Sequence, residues 1–214
     1  MVVPEYLFVP SDLATRIKKC FSMAHQLINY FKKITSLSPL EEQAITASLF
    51  IKKFKAGDFI FHEGDYNQDS FFVLEGFVRQ YKLSDGVEIT TNFYGQEQWI
   101  ISWNSFNSAE PANTNLYCVA DTAVVVGNEQ KAQALFKQFP RFETISRTIM
   151  EEVFTSAMQR MSAYHTATPE ERYLGLLKAQ PEIFQKVPQF QIASYIGVKP
   201  ESLSRIRKRL AAKS

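Results

Sequence analysis

The spacing of apolar residues divides the chain into a helical start, a strand-rich middle and a helical remainder. Near the start, Leu27, Ile28 and Phe31 share one face of a predicted helix. Between about residues 50 and 127, short runs of aromatic and β-branched residues alternate with turn signals. One of these signals, Asp85-Gly86, predicts a tight hairpin. This middle segment therefore predicts an antiparallel sandwich or roll.

A single long helix is predicted after Pro140. Apolar residues recur there every three or four positions as far as Tyr164, which gives one stripe on a helix of about 25 residues and on the order of 37 Å. Because a small body cannot easily bury so long a stripe, we interpret it as one half of a two-helix coiled coil. An ordinary core-facing helix is the alternative. The residues assigned to dimerisation are Ile145, Ile149, Val153, Ala157 and Met161.

The C-terminal segment predicts a helix-turn-helix. Thr168 and Glu171 have the spacing of a capping box that opens a new helix. Further on, Ala193 is small where two crossing helices approach closely, and Gly197 tolerates the left-handed conformation of a turn. Pro200 then suits the first turn of a second helix, which in a helix-turn-helix enters the major groove of DNA.

Polar residues three or four positions apart share one face of this second helix. Arg205 suits the O6 and N7 atoms of guanine, and Glu201 can accept from the N4 amine of cytosine. A solvated charged face on a helical hairpin is the alternative interpretation. The predicted DNA-contacting residues are Lys199, Glu201, Ser202, Ser204, Arg205, Arg207, Lys208 and Arg209.

Charge supports an anionic partner for this segment. The chain of 214 residues has a net charge of only +2. Residues 166–214, however, hold nine Lys/Arg against four Asp/Glu, a net of +5, and the rest carries −3. No apolar run approaches the ~20 residues of a membrane span, and no secretion signal opens the chain. We therefore predict a cytoplasmic protein with no membrane partner.

Two motifs resemble the Crp/Fnr family of bacterial transcription regulators. The segment from Ile60 to Gly76 carries turn glycines twelve residues apart, as in cyclic-nucleotide-binding domains. Near the C-terminus, Glu201-Ser-Leu-Ser204-Arg205 is similar to the family's E-x-x-S-R recognition sequence. The resemblance covers nearly the full chain and implies an α+β protein. Its implied parts are an N-terminal double-stranded β-helix (a cyclic-nucleotide-binding-like β-roll), a long dimerisation helix and a C-terminal winged helix-turn-helix.

The resemblance also implies a division of labour along the chain. Residues 1–139 would form the β-roll sensory domain with N-terminal helices, 140–166 the dimerisation helix and 167–214 the DNA-binding domain. A homodimer of this kind reads a two-fold-symmetric operator in double-stranded DNA. RNA polymerase is a further partner that the resemblance leaves open.

The candidate effector pocket departs from the family pattern. Nucleotide-binding members carry Gly-Glu and, about ten residues later, Arg-Ser or Arg-Thr, whose arginine neutralises the cyclic phosphate. Here the only basic residue between Gln80 and Lys131 is Lys82. We therefore expect no tight cyclic AMP binding, and the effector, if the protein has one, is unidentified. The residues assigned to this pocket are Trp99, Ser102, Trp103, Thr114 and Asn115.

The remaining chemistry favours no enzyme, metal site or cofactor. Two cysteines, Cys20 and Cys118, are too few for an iron–sulfur cluster. The three histidines, His25, His62 and His165, are scattered over three predicted elements, whereas a cupin-type metalloenzyme needs several histidines at one metal. That enzyme remains a remote alternative. A sensory or scaffolding module that acts through protein contacts is the nearer one.

Overall fold

A computed structural model describes residues 11–101 and 110–212, with side chains from Ser22 onward. Helices and strands follow one another in the predicted order. The helices are α1 (Ser11–Ile34), α2 (Pro39–Ser48), α3 (Glu129–Gln138), α4 (Arg141–Thr166), α5 (Pro169–Ala179), α6 (Ile183–Lys186), α7 (Gln189–Tyr195) and α8 (Pro200–Ala211). The strands are β1 (Ile51–Phe54), β2 (Phe59–Phe61), β3 (Ser70–Glu75), β4 (Val78–Ser84), β5 (Val87–Tyr94), β6 (Trp99–Ile100), β7 (Asn115–Cys118) and β8 (Thr122–Gly127).

The chain divides into two compact units, one up to Leu49 and the other from Phe50 onward. The first holds α1 and α2. A capping box starts α2: Glu41 N–H donates to Ser38 Oγ, and Ser38 N–H donates to Glu41 Oε2 at 2.7 Å. Two amide groups that lack an intrahelical acceptor are thereby satisfied.

The strands of the second unit form the predicted roll. They make two four-stranded antiparallel sheets in the orders β1-β8-β3-β6 and β2-β7-β4-β5. Apolar side chains fill the space between the sheets, among them Val73, Leu116 and Val124, none of which is exposed. The predicted hairpin joins β4 to β5, with Asp85 and Gly86 both at positive φ.

Helices α3 to α8 follow the roll, and α4 is the predicted long helix. The implied β wing is not found, because residues 128–212 contain no strand. The segment between α5 and α7 holds the short helix α6 instead. Pro181 and Pro188 flank that helix, and a proline nitrogen has no hydrogen to donate to a strand ladder. Within the described ranges, no helix has the length and apolarity required to cross a membrane.

Candidate nucleic-acid interface

Helices α7 and α8 are joined by a tight turn that fits a helix-turn-helix. Val198 N–H donates to Ala193 C=O at 2.9 Å and Gly197 N–H to Ser194 C=O at 3.1 Å, the pair of bonds of a Schellman motif. Fully buried Ile192 and Ala193 on α7 belong to the same core as Leu203 on α8. The turn therefore ends α7 cleanly, and the shared core fixes the crossing of the two helices.

Gly197 is required by conformation and by space. Its φ is +71°, a region that residues with a Cβ avoid. A Cβ built on it would also lie 2.7 Å from Tyr164 Oη, near the end of α4. The turn of the helix-turn-helix thus sits directly against the long helix.

Helix α8 separates a buried face from a charged one. Leu203 and Ile206 are buried in the core. At 3.6 residues per turn, the opposite face carries Glu201, Arg205 and Lys208, and these side chains are exposed. Ser204, also exposed, lies beside them. The structure therefore brings the two predicted base-reading residues, Glu201 and Arg205, together with Ser204 and Lys208 on one open face.

The other predicted DNA-contacting residues lie around this face. Lys199 is exposed at the position just before the helix, and Arg207 is exposed on one flank. On the other flank, Ser202 is half-buried. There Arg209 forms an ion pair with Glu170 at the start of α5. This predicted DNA-contacting guanidinium is therefore paired with a carboxylate of the protein itself, although its side chain is 56% exposed.

Arg172 on α5 links three segments around the turn. Its Nε donates to Ile196 C=O at 2.8 Å, and its Nη1 donates to Ala167 C=O at 2.7 Å and to Tyr164 C=O at 3.1 Å. The guanidinium also lies over the Tyr164 ring, 5.0 Å from its centroid. Sequence analysis missed this residue, since an arginine in the first turns of a helix carries no signal of such contacts.

The predicted dimerisation stripe is divided between buried and exposed positions. Ile145 and Ile149 are buried within the protomer. Val153 and Ala157 are half-buried, and Met161 is 53% exposed. The open apolar surface of α4 thus lies in its C-terminal half. It comprises Phe154, Met158, Met161 and Tyr164, of which Phe154 is 64% exposed.

The predicted effector residues have mostly structural contacts. Trp99 is half-buried, with its ring 5.0 Å from that of Phe72. Asn115 is buried, and its Oδ1 accepts from Glu63 N–H at 3.0 Å. Thr114 Oγ1 accepts from Gln80 Nε2 at 3.2 Å. Ser102 and Trp103 lie outside the described residues.

Residues 51–139 match the family model of the cyclic nucleotide-binding domain. The segment is a β-roll of that type. A search of curated proteins finds no sequence match.

Three solved structures share the fold over most of their length. The c-di-GMP-responsive global regulator CLP of Xanthomonas campestris is 17% identical, with a TM-score of 0.62 and coverage of 82% of this chain and 93% of that one. A Crp/Fnr-family protein of Eubacterium rectale is 19% identical, with a TM-score of 0.60 and coverage of 86% and 88%. The catabolite activator protein of Thermus thermophilus is 20% identical, with a TM-score of 0.50 and coverage of 83% and 85%. The chain therefore has the fold of Crp/Fnr transcription regulators, and no catalytic family is indicated.

The inner face of the cyclic nucleotide-binding-type roll carries neutral polar groups. Tyr94 Oη donates to Gln80 Oε1 at 3.2 Å, and Gln80 in turn reaches Thr114. Burial raises the pKa of Tyr94, although a hydrogen bond with Asn92 and the charge of Arg160 on α4 oppose it. The phenol is therefore neutral near pH 7.

A buried arginine lies on the opposite face of the same strand. Neighbouring side chains of a strand point to opposite faces, so Arg79 points away from the face that carries Gln80. Its Nη1 is 2.5 Å from Glu88 Oε2, and its Nε donates to Thr90 Oγ1 at 2.9 Å. The charge of Arg79 is therefore compensated by Glu88 on the outer face of the roll.

Among the described residues, no group of three or more His, Cys, Asp and Glu side chains could hold a metal ion.

Proposed function

We propose that this protein is a homodimeric, sequence-specific DNA-binding transcription regulator of the Crp/Fnr type. The observation that carries the proposal is the exposed face of α8, where Glu201, Arg205 and Lys208 lie side by side. Its opposite face is anchored in the core through Leu203 and Ile206. A rigid helix with an open polar face is what the major groove admits.

Each exposed side chain has a role in this proposal. Arg205 donates to the O6 and N7 atoms of guanine, and Glu201 accepts from the N4 amine of cytosine. Lys208, Arg207 and Lys199 meet phosphates and fix the register of the protein on the duplex. Arg209 contributes to DNA binding only where its ion pair with Glu170 opens.

The exposed apolar surface of α4 supports a homodimer. Phe154, Met158 and Met161 follow one another at spacings of four and three, the pattern of a coiled-coil seam. Two copies packed along this seam would present two α8 helices to half-sites about one DNA turn apart, ~34 Å. A dimer of this kind binds chromosomal DNA in the cytoplasm, and a contact with RNA polymerase stays a prediction.

We propose that cyclic AMP is not the effector of this protein. The inner face of the roll carries Gln80, Tyr94 and Thr114, all neutral. Arg79, next to Gln80 in the chain, is held by Glu88 and Thr90 on the outer face, and Lys82 is exposed. The charge of Arg160 reaches Tyr94 from α4, but the strands themselves supply no cation on the inner face, so they lack the charge-assisted bonds that hold a phosphate. Titration with cyclic AMP, and with c-di-GMP because CLP responds to it, tests this point. Micromolar binding of cyclic AMP would contradict the proposal.

Operator selection from random duplex DNA, followed by fluorescence anisotropy, tests DNA binding. We expect a two-fold-symmetric consensus and an affinity that falls steeply with salt. Arg205→Ala should weaken the selected operator by about 10-fold or more and relax preference at one base pair of each half-site. Arg147→Ala, on an exposed arginine of α4, is the matched control. A scaffolding module would select no DNA sequence. If Arg205→Ala kept the selectivity of the wild type, the role assigned to Arg205 would be refuted.

A further inference from the structure

The helix-turn-helix is docked on the edge of one sheet of the roll. In the order β2-β7-β4-β5, strand β5 is the last strand that the described residues supply, so one side of it has no strand partner. The hydroxyl of Ser194, near the end of α7, meets that side. Thr90 N–H donates to Ser194 Oγ at 2.9 Å, and the same hydroxyl donates to Glu88 C=O at 3.3 Å. One side chain thus satisfies a donor and an acceptor that a neighbouring strand would otherwise bind.

Apolar packing surrounds this polar contact. The rings of Tyr195 on α7 and Phe93 on β5 meet edge to face, with centroids 5.4 Å apart. Phe93 and Phe77, both buried, belong to the same core as Ile192 and Ile196 of α7. The core of the helix-turn-helix is therefore continuous with the outer surface of the roll.

The docking strand is itself fixed by the neighbouring strand β4 on the outer face of the roll. Arg79 on β4, only 2% exposed, binds the side chains of Thr90 and Glu88, the same two residues whose backbone Ser194 holds. A displacement of the β4–β5 hairpin would move both backbone groups together. The β4–β5 hairpin is thus connected with the helix-turn-helix through a few hydrogen bonds on the outer face of the roll.

We propose that Ser194 is a positioning residue for DNA binding, whose hydroxyl holds α7 on β5 and so sets the direction of the base-reading face. This inference rests on the proposed function. In the docked arrangement Glu201, Arg205 and Lys208 are exposed, so docking and DNA binding are compatible. The docked state is the binding-competent one, and a signal in the roll acts on DNA affinity by shifting its population.

Hydrogen exchange on the full-length protein measures the docking contact. Ser194→Ala removes both bonds of the hydroxyl, and we expect the Thr90 amide to exchange about five-fold faster, the change that corresponds to one typical hydrogen bond. Ser194→Thr keeps the hydroxyl and should restore slow exchange. Ser162→Ala, on an exposed serine of α4, should leave it unchanged.

Operator binding then distinguishes a positioning role of Ser194 from a contribution to stability alone. For the wild type, moving the half-sites apart by one base pair should weaken binding, because two fixed helices demand one spacing. Ser194→Ala should bind the best operator at least about two-fold more weakly than the wild type does. It should also lose less affinity than the wild type when the spacing of the half-sites changes. Ser194→Thr should behave as the wild type does.

The outcomes are distinguishable. Unchanged affinity and spacing dependence in Ser194→Ala would overturn the inference while Arg205→Ala still loses operator selectivity, so the proposed function would stand. If Ser194→Ala bound the operator more tightly than the wild type, docking would be inhibitory, and this result would also overturn the inference. If the wild-type dimer ignores every duplex, the proposed function fails and the positioning role fails with it.

Discussion

Arg172 offers the sharpest test of how the C-terminal helices are held in place. Substitution with methionine keeps a long, unbranched, helix-compatible side chain but removes every donor. Three carbonyl groups then lose a partner: Ile196 at the end of α7, and Tyr164 and Ala167 at the end of α4. The two helix ends would lose their common anchor.

The size of the effect follows from the exposure of those bonds. A hydrogen bond from a charged donor contributes about 1.5–3 kcal/mol when it is shielded from water. The bonds to Ile196 and Ala167 are partly buried, whereas that to Tyr164 is exposed and is replaced by water at little cost. Water can still reach the partly buried carbonyls, which reduces the sum further. We therefore expect the free energy of unfolding to fall by about 2 kcal/mol. For a chain of this size, that corresponds to roughly 4–8 °C in Tm.

Urea unfolding followed by circular dichroism measures this loss. Arg147→Met is the control, since it removes an exposed arginine from α4 and should stay within about 0.5 kcal/mol of the wild type. Arg172→Lys should recover only part of the stability, because one ammonium cannot reproduce the planar fork of a guanidinium. If Arg172→Met unfolds within about 0.5 kcal/mol of the wild type, the anchoring role is refuted.

Three further changes have defined outcomes. Gly197→Ala should cost about 1–2 kcal/mol in urea unfolding, because φ is +71° there and the new methyl meets the long helix. Phe154→Glu should give a folded monomer by light scattering, since the side chain is 64% exposed; a persistent dimer would contradict the α4 seam. Burial raises the pKa of Cys118 to about 11, so native protein should resist alkylation at pH 8 and react once unfolded. The unfolded thiol ionises first, so the contribution of Cys118 to stability should fall as pH rises from about 9 to about 11.

Local signals in the sequence sufficed for the elements of the fold. The capping box at Thr168, the hairpin at Asp85-Gly86 and the turn at Gly197 each occur as predicted. These features depend on residues close together in the chain, whose side chains satisfy nearby backbone groups or permit a positive φ. The helix-turn-helix could be predicted for the same reason.

Long-range contacts could not be predicted in this way. The stripe on α4 has one periodicity throughout, yet Ile145 and Ile149 are buried within the protomer and Met161 is 53% exposed. Periodicity identifies the face of a helix but does not tell which part the protein's own core covers. The contact of Ser194 with β5 spans 104 residues and left no local trace, because serine is common on helices near turns.

Net charge overstates the positive surface that the C-terminal segment offers to DNA. Nine basic residues occur between residues 166 and 214, but several of them have internal roles. Arg172 donates to backbone carbonyls, Lys186 pairs with Glu182 just before its own helix, and Arg209 pairs with Glu170. A cation already paired with a carboxylate displaces fewer counterions from DNA. We therefore expect the exposed face of α8, rather than the residue count, to set the affinity for DNA and its dependence on salt. In the proposed complex the same helix serves two purposes: its apolar side and its flanking arginine fix its position, and the remaining side discriminates bases.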